Sequence, residues 1–146
     1  FRRVLFRSAL FPQVRSSAEA VHRHAPWLGP ITTFEVGTAL SLLSFRLAGV
    51  DIAVVEVGVG GRHDATNALD PIVSVITPIS FDHVDVIGPT IADIAYEKAG
   101  VMRPGRPVIL GRQPADARAT LKTEAREVGA RDAWLQSEWA WSLRGE

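Results

Sequence analysis

A chain of 146 residues with 16 basic and 16 acidic side chains has zero formal net charge, which removes the electrostatic case for nucleic acid or an anionic membrane as partner. The length suits one core, and a hydrophobic share of 47% with four tryptophans suits a packed domain rather than a disordered one. Cysteine is absent, so disulfides and thiolate metal sites are excluded, and no apolar run approaches the about 18 residues of a membrane span, so a cytoplasmic location is expected.

The first residues, Phe1–Ser8, read FRRVLFRS. They back-translate as TTC AGA CGT GTG CTC TTC CGA TCT, a string similar to a sequencing-library adapter. The alternative is an ordinary basic amphipathic start. We expect residues 1–8 to be read-through and the biological chain, residues 9–146, to enter near Ala9.

Ser16–Ala25 is a predicted short helix, capped by Ser16 or Ser17 and ended by Pro26. Pro26–Pro30 is a connector. Thr32 or Thr33 caps a helix over Phe34–Ala48, with Leu40, Leu43 and Leu47 at helical spacing and Gly49 as its stop. Ile52–Val57 and Val73–Thr77 are β-branched and apolar on both faces, the pattern of buried parallel strands. Thr90 caps Ile91–Lys98, with Asp93 at the capping-box offset and Gly100 at the end. Pro107–Leu110 is a third short strand, and Ala115–Val128 is a charged amphipathic helix closed by Gly129. Ala133–Leu135 and Glu138–Leu143 are further strands, the latter alternating Trp139 and Trp141 with polar or small residues. Strands alternating with helices predict an α/β fold, a mostly parallel sheet flanked by helices.

Chemistry-bearing residues gather where such a sheet binds ligands, beyond the carboxyl ends of its strands. Glu56 closes the apolar run and enters a glycine loop. It suits a hard dication such as Mg²⁺, or equally a cap on the loop's backbone N–H groups. Gly58, Gly60 and Gly61 permit a tight turn with close backbone approach. Neither GxGxxG nor GxxxxGK[ST] occurs, so no dinucleotide fingerprint and no Walker A loop is present in this sequence. Arg62 can fork onto a phosphate or carboxylate, or pair with Asp64 or Asp70. Asp64 can accept from an amino-heterocycle edge, and Asn67 shapes the loop through side-chain-to-backbone bonds. In Asp82–His83 an imidazole can ligate metal while the carboxylate orients it, although such pairs are common. Lys98, beside Glu97, is a solvated helix face on the plainest reading.

The set EVGVGGRHDATN…ITPISFDH…EKAG, preceded by ITTFE, resembles the central ATPase domain of the Mur-ligase superfamily, and within it the folylpolyglutamate synthase/dihydrofolate synthase family. The likeness runs from about Ile31 to Gly111. It implies ATP-dependent amide ligation, in which the γ-phosphoryl group passes to a carboxylate of dihydropteroate or a folate and the acyl phosphate is attacked by the amine of L-glutamate. It implies Mg²⁺ held by Glu56, His83 and Lys98, the lysine carbamylated by CO₂ and counted with His83 as catalytic. Thr32, Phe34 and Asp64 would contact the pterin, with Arg62, Asn67 and Asp82 in support. Two positions depart from the family pattern: Thr33 stands where tyrosine is usual, and His63 where leucine is usual. His63 is read as a loop substitution.

The family's phosphate-cradling loop lies upstream of the matching residues and its carboxy-terminal domain downstream, so the expectation is a partial central domain lacking its P-loop segment and inactive alone. The expected partners are small molecules (ATP, folate or dihydropteroate, L-glutamate), with no nucleic acid, no membrane and a monomeric state. The alternatives are another Mur-superfamily amide ligase, which shares the Glu, His and Lys arrangement, and a truncated fragment without independent activity. A two-metal hydrolase on Asp82 and His83 lacks enough ligands.

Overall fold

The computed structural model describes residues 2–134. Its contacts divide the chain into two units, Phe1–Glu56 and Val57–Glu146. Among the described residues no helix is long and apolar enough to cross a membrane.

The first unit is a helix pair. Helix α1 spans Arg2–His24, starting well before the expected Ser16. A serine caps a helix only where the chain before it is not helical, and Ser16 and Ser17 lie inside a helix already under way. It ends as expected: Ala25 N–H makes the last bond to Val21 O at 2.8 Å, and Pro26 has no N–H to offer. A 3₁₀ turn, Pro26–Leu28, leads to helix α2, Thr33–Ala48. Thr32 is the cap: its hydroxyl accepts from Glu35 N–H at 3.2 Å, and the Glu35 carboxylate accepts from Thr32 N–H at 2.6 Å. Gly49 ends α2 in the left-handed conformation (φ 63°), where a side chain would be strained. Leu10 and Val14 are buried, while a cavity of about 460 Å³ remains beside Val14, Val21, Leu28, Ile31, Val36 and Leu43.

Among the described residues, the second unit is a three-stranded parallel sheet with helices on one face. Strands β1 (Ser74–Ile76), β2 (Pro107–Leu110) and β3 (Arg131–Trp134) lie in that order, with Ser74 opposite Val108 and Pro107 opposite Arg131. A short helix α3 (Val84–Ile87) and helix α4 (Ile91–Ala99) connect β1 to β2, and α5 (Ala115–Val128) connects β2 to β3. Ile76, Val108 and Leu110 turn inward against Ile94, Ala95 and Ala99 of α4 and Ala117, Leu121 and Ala125 of α5. Buried Ser74 is satisfied by donating to Val101 O at 2.7 Å. The Thr90 cap forms with Asp93 in a full capping box, and Gly129 closes α5 at φ 73°.

Two strand expectations need correction. Ile52–Val57 forms no strand; Ile52 is 72% and Val54 94% exposed. Apolar residues on both faces favour a pleat but supply no partner backbone, and such a strand also needs cover on both sides. Among the described residues the second unit's own sheet has helical cover on one side, and Val75 of β1 stands 63% exposed between buried Ser74 and Ile76. The last strand begins at Arg131, two residues before the expected Ala133, because Pro107 pairs with Arg131. Leu135 and the expected strand Glu138–Leu143 lie outside the described residues.

Candidate functional site

The glycine loop is organised from within by Asp64. One carboxylate oxygen accepts from Gly58 N–H and Val59 N–H, both at 3.1 Å. The other accepts from Thr66 N–H at 2.9 Å and the Thr66 hydroxyl at 2.6 Å, capping the 3₁₀ turn Ala65–Ala68. Burial alone would raise the Asp64 carboxyl. The bonds from Thr66, Val59 and Gly58 outweigh it and hold the group below the ordinary carboxylate value.

The loop then sits directly on the end of α4. Arg62 N–H donates to Glu97 O at 2.9 Å. A Cβ on Gly61 would stand 3.0 Å from Glu97 O and 3.2 Å from Lys98 O, and one on Gly100 would overlap the Arg62 backbone. These glycines are required by close approach. The GGR and EKAG motifs are therefore one piece of structure, with Lys98 in the last turn of α4 beside the loop. Lys98 is half-buried, on the flank of the stripe formed by Ile94, Ala95 and Ala99. No carboxylate pairs with it among the described residues.

The Arg62 guanidinium turns to the protein. It lies 3.8 Å over the Tyr96 ring, donates to Tyr96 O at 3.0 Å, and pairs with Glu124 of α5 at 2.6 Å. The sequence offered Asp64 or Asp70 as its ion-pair partner. The partner is instead Glu124, and Asp70 pairs with Arg106 at 3.1 Å. Asn67 shapes the loop as expected, donating to Arg62 O at 2.9 Å.

Three residues escaped the sequence. Arg103 donates through Nη1 to Gly100 O and Met102 O, both at 3.0 Å, and through Nη2 to Asn67 O and Oδ1 at 2.7 Å and Leu69 O at 3.0 Å. It fastens the end of α4 to the far end of the glycine loop. Gln113 ties the turn after β1 to the turn after β2, and Glu124 is the buried carboxylate that holds Arg62. Their partners are backbone carbonyls or residues distant in sequence, which leave no local pattern.

His83 follows β1 at the carboxyl edge of the sheet. Its backbone is left-handed (φ 49°, ψ 36°), the sole non-glycine residue so placed among those described. That conformation costs about 1–2 kcal/mol for a residue with a Cβ, so the surrounding loop must hold it. The ring is 48% exposed, with Nε2 3.5 Å from Asp82. In the first unit, the Thr32 hydroxyl is engaged in the α2 cap, Phe34 is 48% exposed on the first turn, and Glu56 is exposed. The bonds from Thr32, backbone first and then hydroxyl, hold Glu35 below the ordinary carboxylate value.

No group of three or more His, Cys, Asp or Glu that could cage a metal occurs among the described residues. Mg²⁺ does not need one: it takes one or two protein carboxylates and completes its shell with water and substrate phosphates. An exposed carboxylate and an exposed imidazole fit that manner of binding.

Residues 28–130 match the Mur ligase middle domain. The chain belongs to that family. Against folylpolyglutamate synthase of Lacticaseibacillus casei it is 42% identical over 73% of this chain and 24% of that protein. Against dihydrofolate synthase/folylpolyglutamate synthase of Mycobacterium tuberculosis it is 46% identical over 77% of this chain and 24% of that protein. The solved M. tuberculosis folylpolyglutamate synthase, complexed with ADP and AMPPCP, superposes with a TM-score of 0.82 at 39% identity, covering 91% of this chain and 31% of that one. A folylpolyglutamate synthase solved with AMPPCP and folate gives 0.74 at 38% identity, covering 82% and 29%. The chain thus spans about a quarter of the length of the curated relatives it matches. As a Mur ligase middle domain it has the expected α/β fold, with three parallel strands and flanking helices among the described residues.

Proposed function

We propose that this Mur ligase middle domain serves an ATP-dependent ligase that joins L-glutamate to dihydropteroate or a folate. The observation that carries the reading is the backbone interlock of the Gly61–Arg62 segment with Glu97 and Gly100. It joins the GGR and EKAG motifs by backbone contact and sets Lys98 beside the glycine loop. The names of the relatives and the ligands of the solved neighbours support the substrate class.

In this reading the γ-phosphoryl group of ATP moves to a substrate carboxylate oxygen with loss of ADP. The glutamate amine then attacks the acyl carbon, phosphate leaves, and an amide forms. Glu56, His83 and carbamylated Lys98 would hold Mg²⁺, which when bound neutralises charge on the phosphoryl oxygens. A lysine takes up CO₂ only as the neutral amine; Lys98 is half-buried beside the glycine loop. Phe34 offers an exposed ring face on which a pterin can stack. The Asp64 carboxylate contributes chiefly by giving the loop its shape, and Thr32 by setting the first turn of α2, which carries Phe34.

The test is a segment exchange. Residues 28–130 replace the matching segment of the M. tuberculosis enzyme, and Mg²⁺- and ATP-dependent addition of glutamate to a folate is measured. Ligation by the hybrid is expected. A folded hybrid that binds ATP yet ligates glutamate to no pterin substrate would refute the reading.

A further inference from the structure

The His83 backbone is held in a left-handed conformation, yet its side chain makes no capping bond and Asp82 is only a distant neighbour at 3.5 Å. What holds the loop lies on the neighbouring strand's exit. After β1 ends at Ile76, the Gln113 carboxamide stands in for the missing ladder. Its Oε1 accepts from Ile79 N–H at 2.9 Å, and its Nε2 donates to Thr77 O at 2.9 Å and, more weakly, to Ile76 O at 3.5 Å. Gly111 N–H also donates to Ile76 O at 2.9 Å, so the two turns run together beyond the sheet. Ile79 is thereby fixed with its side chain buried, and the chain has only Ser80, Phe81 and Asp82 before His83. On the far side His83 O accepts from Val86 and Ile87 N–H, both at 2.9 Å. A short span anchored at both ends leaves the backbone little choice at the residue between.

We propose that Gln113 is the positioning residue for His83: its paired hydrogen bonds to Thr77 and Ile79 anchor the loop that imposes the left-handed backbone and directs the imidazole outward. As far as the imidazole's service to a dication is concerned, this rests on the function proposed above. The positioning itself does not. A carboxamide suits the task because it offers an acceptor and a donor side by side, the pattern of a strand edge. Leucine fills similar space and offers neither.

The test uses the 146-residue chain, ¹⁵N- and ¹³C-labelled, as wild type and Gln113→Leu. In the wild type, Ile79 N–H is expected to exchange as slowly as the β1–β2 ladder amides, and His83 to show left-handed ¹³Cα and ¹³Cβ shifts. In Gln113→Leu, that His83 signature should vanish while ladder shifts stay unchanged. Mn²⁺ is the metal probe: broadening of the His83 ring signal should need about tenfold more Mn²⁺ in the variant, the scale on which supporting partners affect metal affinity. Unaltered His83 shifts in Gln113→Leu would overturn the proposal. So would an Ile79 amide that exchanges as fast as Ser80 in the wild type, a reading that needs no variant to fold. If Mn²⁺ leaves wild-type His83 untouched while Gln113→Leu still abolishes its left-handed shifts, the metal role of His83 fails and the positioning role of Gln113 stands.

Discussion

The turn that ends α4 at Gly100 and the glycine loop at Arg62 are in backbone contact: a Cβ on Gly100 would overlap Arg62 Cα and Cβ and lie 2.7 Å from its amide nitrogen. Motifs on separate stretches of the chain thus depend on each other's lack of side chain. Gly100 has φ −58° and ψ −12°, which any residue adopts. On chain entropy alone alanine there would stabilise by about 0.4–1 kcal/mol. The overlap reverses the sign, and Gly100→Ala should destabilise by about 1–3 kcal/mol. Gly105 is the control, with φ +67° and nothing within 4 Å. Gly105→Ala should cost about 1–2 kcal/mol through backbone strain alone. Urea midpoints give the losses. Only Gly100→Ala should also move the Arg62 amide resonance; an unmoved resonance would deny the interlock.

Arg103 should be intolerant of lysine. Its Nη1 reaches oxygens of Gly100 and Met102 and its Nη2 those of Asn67 and Leu69, a spread that a single ammonium cannot span. Arg103→Lys should lose about 1–2 kcal/mol, and Arg103→Met about 2–3 kcal/mol, by leaving the Asn67 and Leu69 acceptors unpaired. Equal stability of the lysine variant and the wild type in urea would show that charge alone, not the fork, matters.

Acid should loosen the glycine loop before the sheet. The Asp64 pKa is lowered in the folded chain, so its stabilisation is complete above the unfolded value of 3.8 and is lost as pH falls through the lower folded value. Hydrogen exchange at Gly58, Val59 and Thr66, corrected for intrinsic rate, should therefore speed up in the acid range below about pH 4, where carboxylates protonate. Asp64→Asn should remove that pH dependence, because an amide cannot accept on both sides, and should cost about 1 kcal/mol at neutral pH. The Glu35 cap of α2 has the same sign of dependence, through an exposed carboxylate.

In the segment-exchanged ligase, Glu56→Gln should lower turnover by about a hundredfold or more, since on the proposed reading the near-isosteric swap removes the charge that would face Mg²⁺. His83→Ala should lower it less, with water free to take the vacated position. Near-normal turnover of Glu56→Gln at limiting Mg²⁺ would return Glu56 to a loop-capping role.

Much of this was legible in the sequence, for reasons local to each element. Caps and stops follow short-range rules, and Thr32–Glu35, Thr90–Asp93, Gly49 and Gly129 all fall where those rules put them. The two strands flanking α4 are likewise evident from β-branched runs. Ile52–Val57 misled because a β-branched run reports preference, whereas a strand exists only through its partner. Arg62 was misassigned for a related reason: nearby acids are visible in sequence, and Glu124 is not. Arg103 and Gln113 bond to backbone oxygens and amides, groups that every residue carries, so no residue pattern marks their partners. The candidate residues Glu56, Asp64, His83 and Lys98 are marked by motif alone, and the structure adds the physical reason that GGR and EKAG go together.

The central claim is that Lys98 serves as a carbamate beside the glycine loop, and chemical rescue in the segment-exchanged ligase tests it most directly. Lys98→Ala is expected to lose nearly all glutamate ligation and to regain part of it with a short free carboxylic acid, which can supply the charge and oxygen atoms of the missing carbamate. Rescue by a small amine but not by an acid would mean that the missing group was a cation, and that result, or undiminished ligation by Lys98→Ala, would contradict the account.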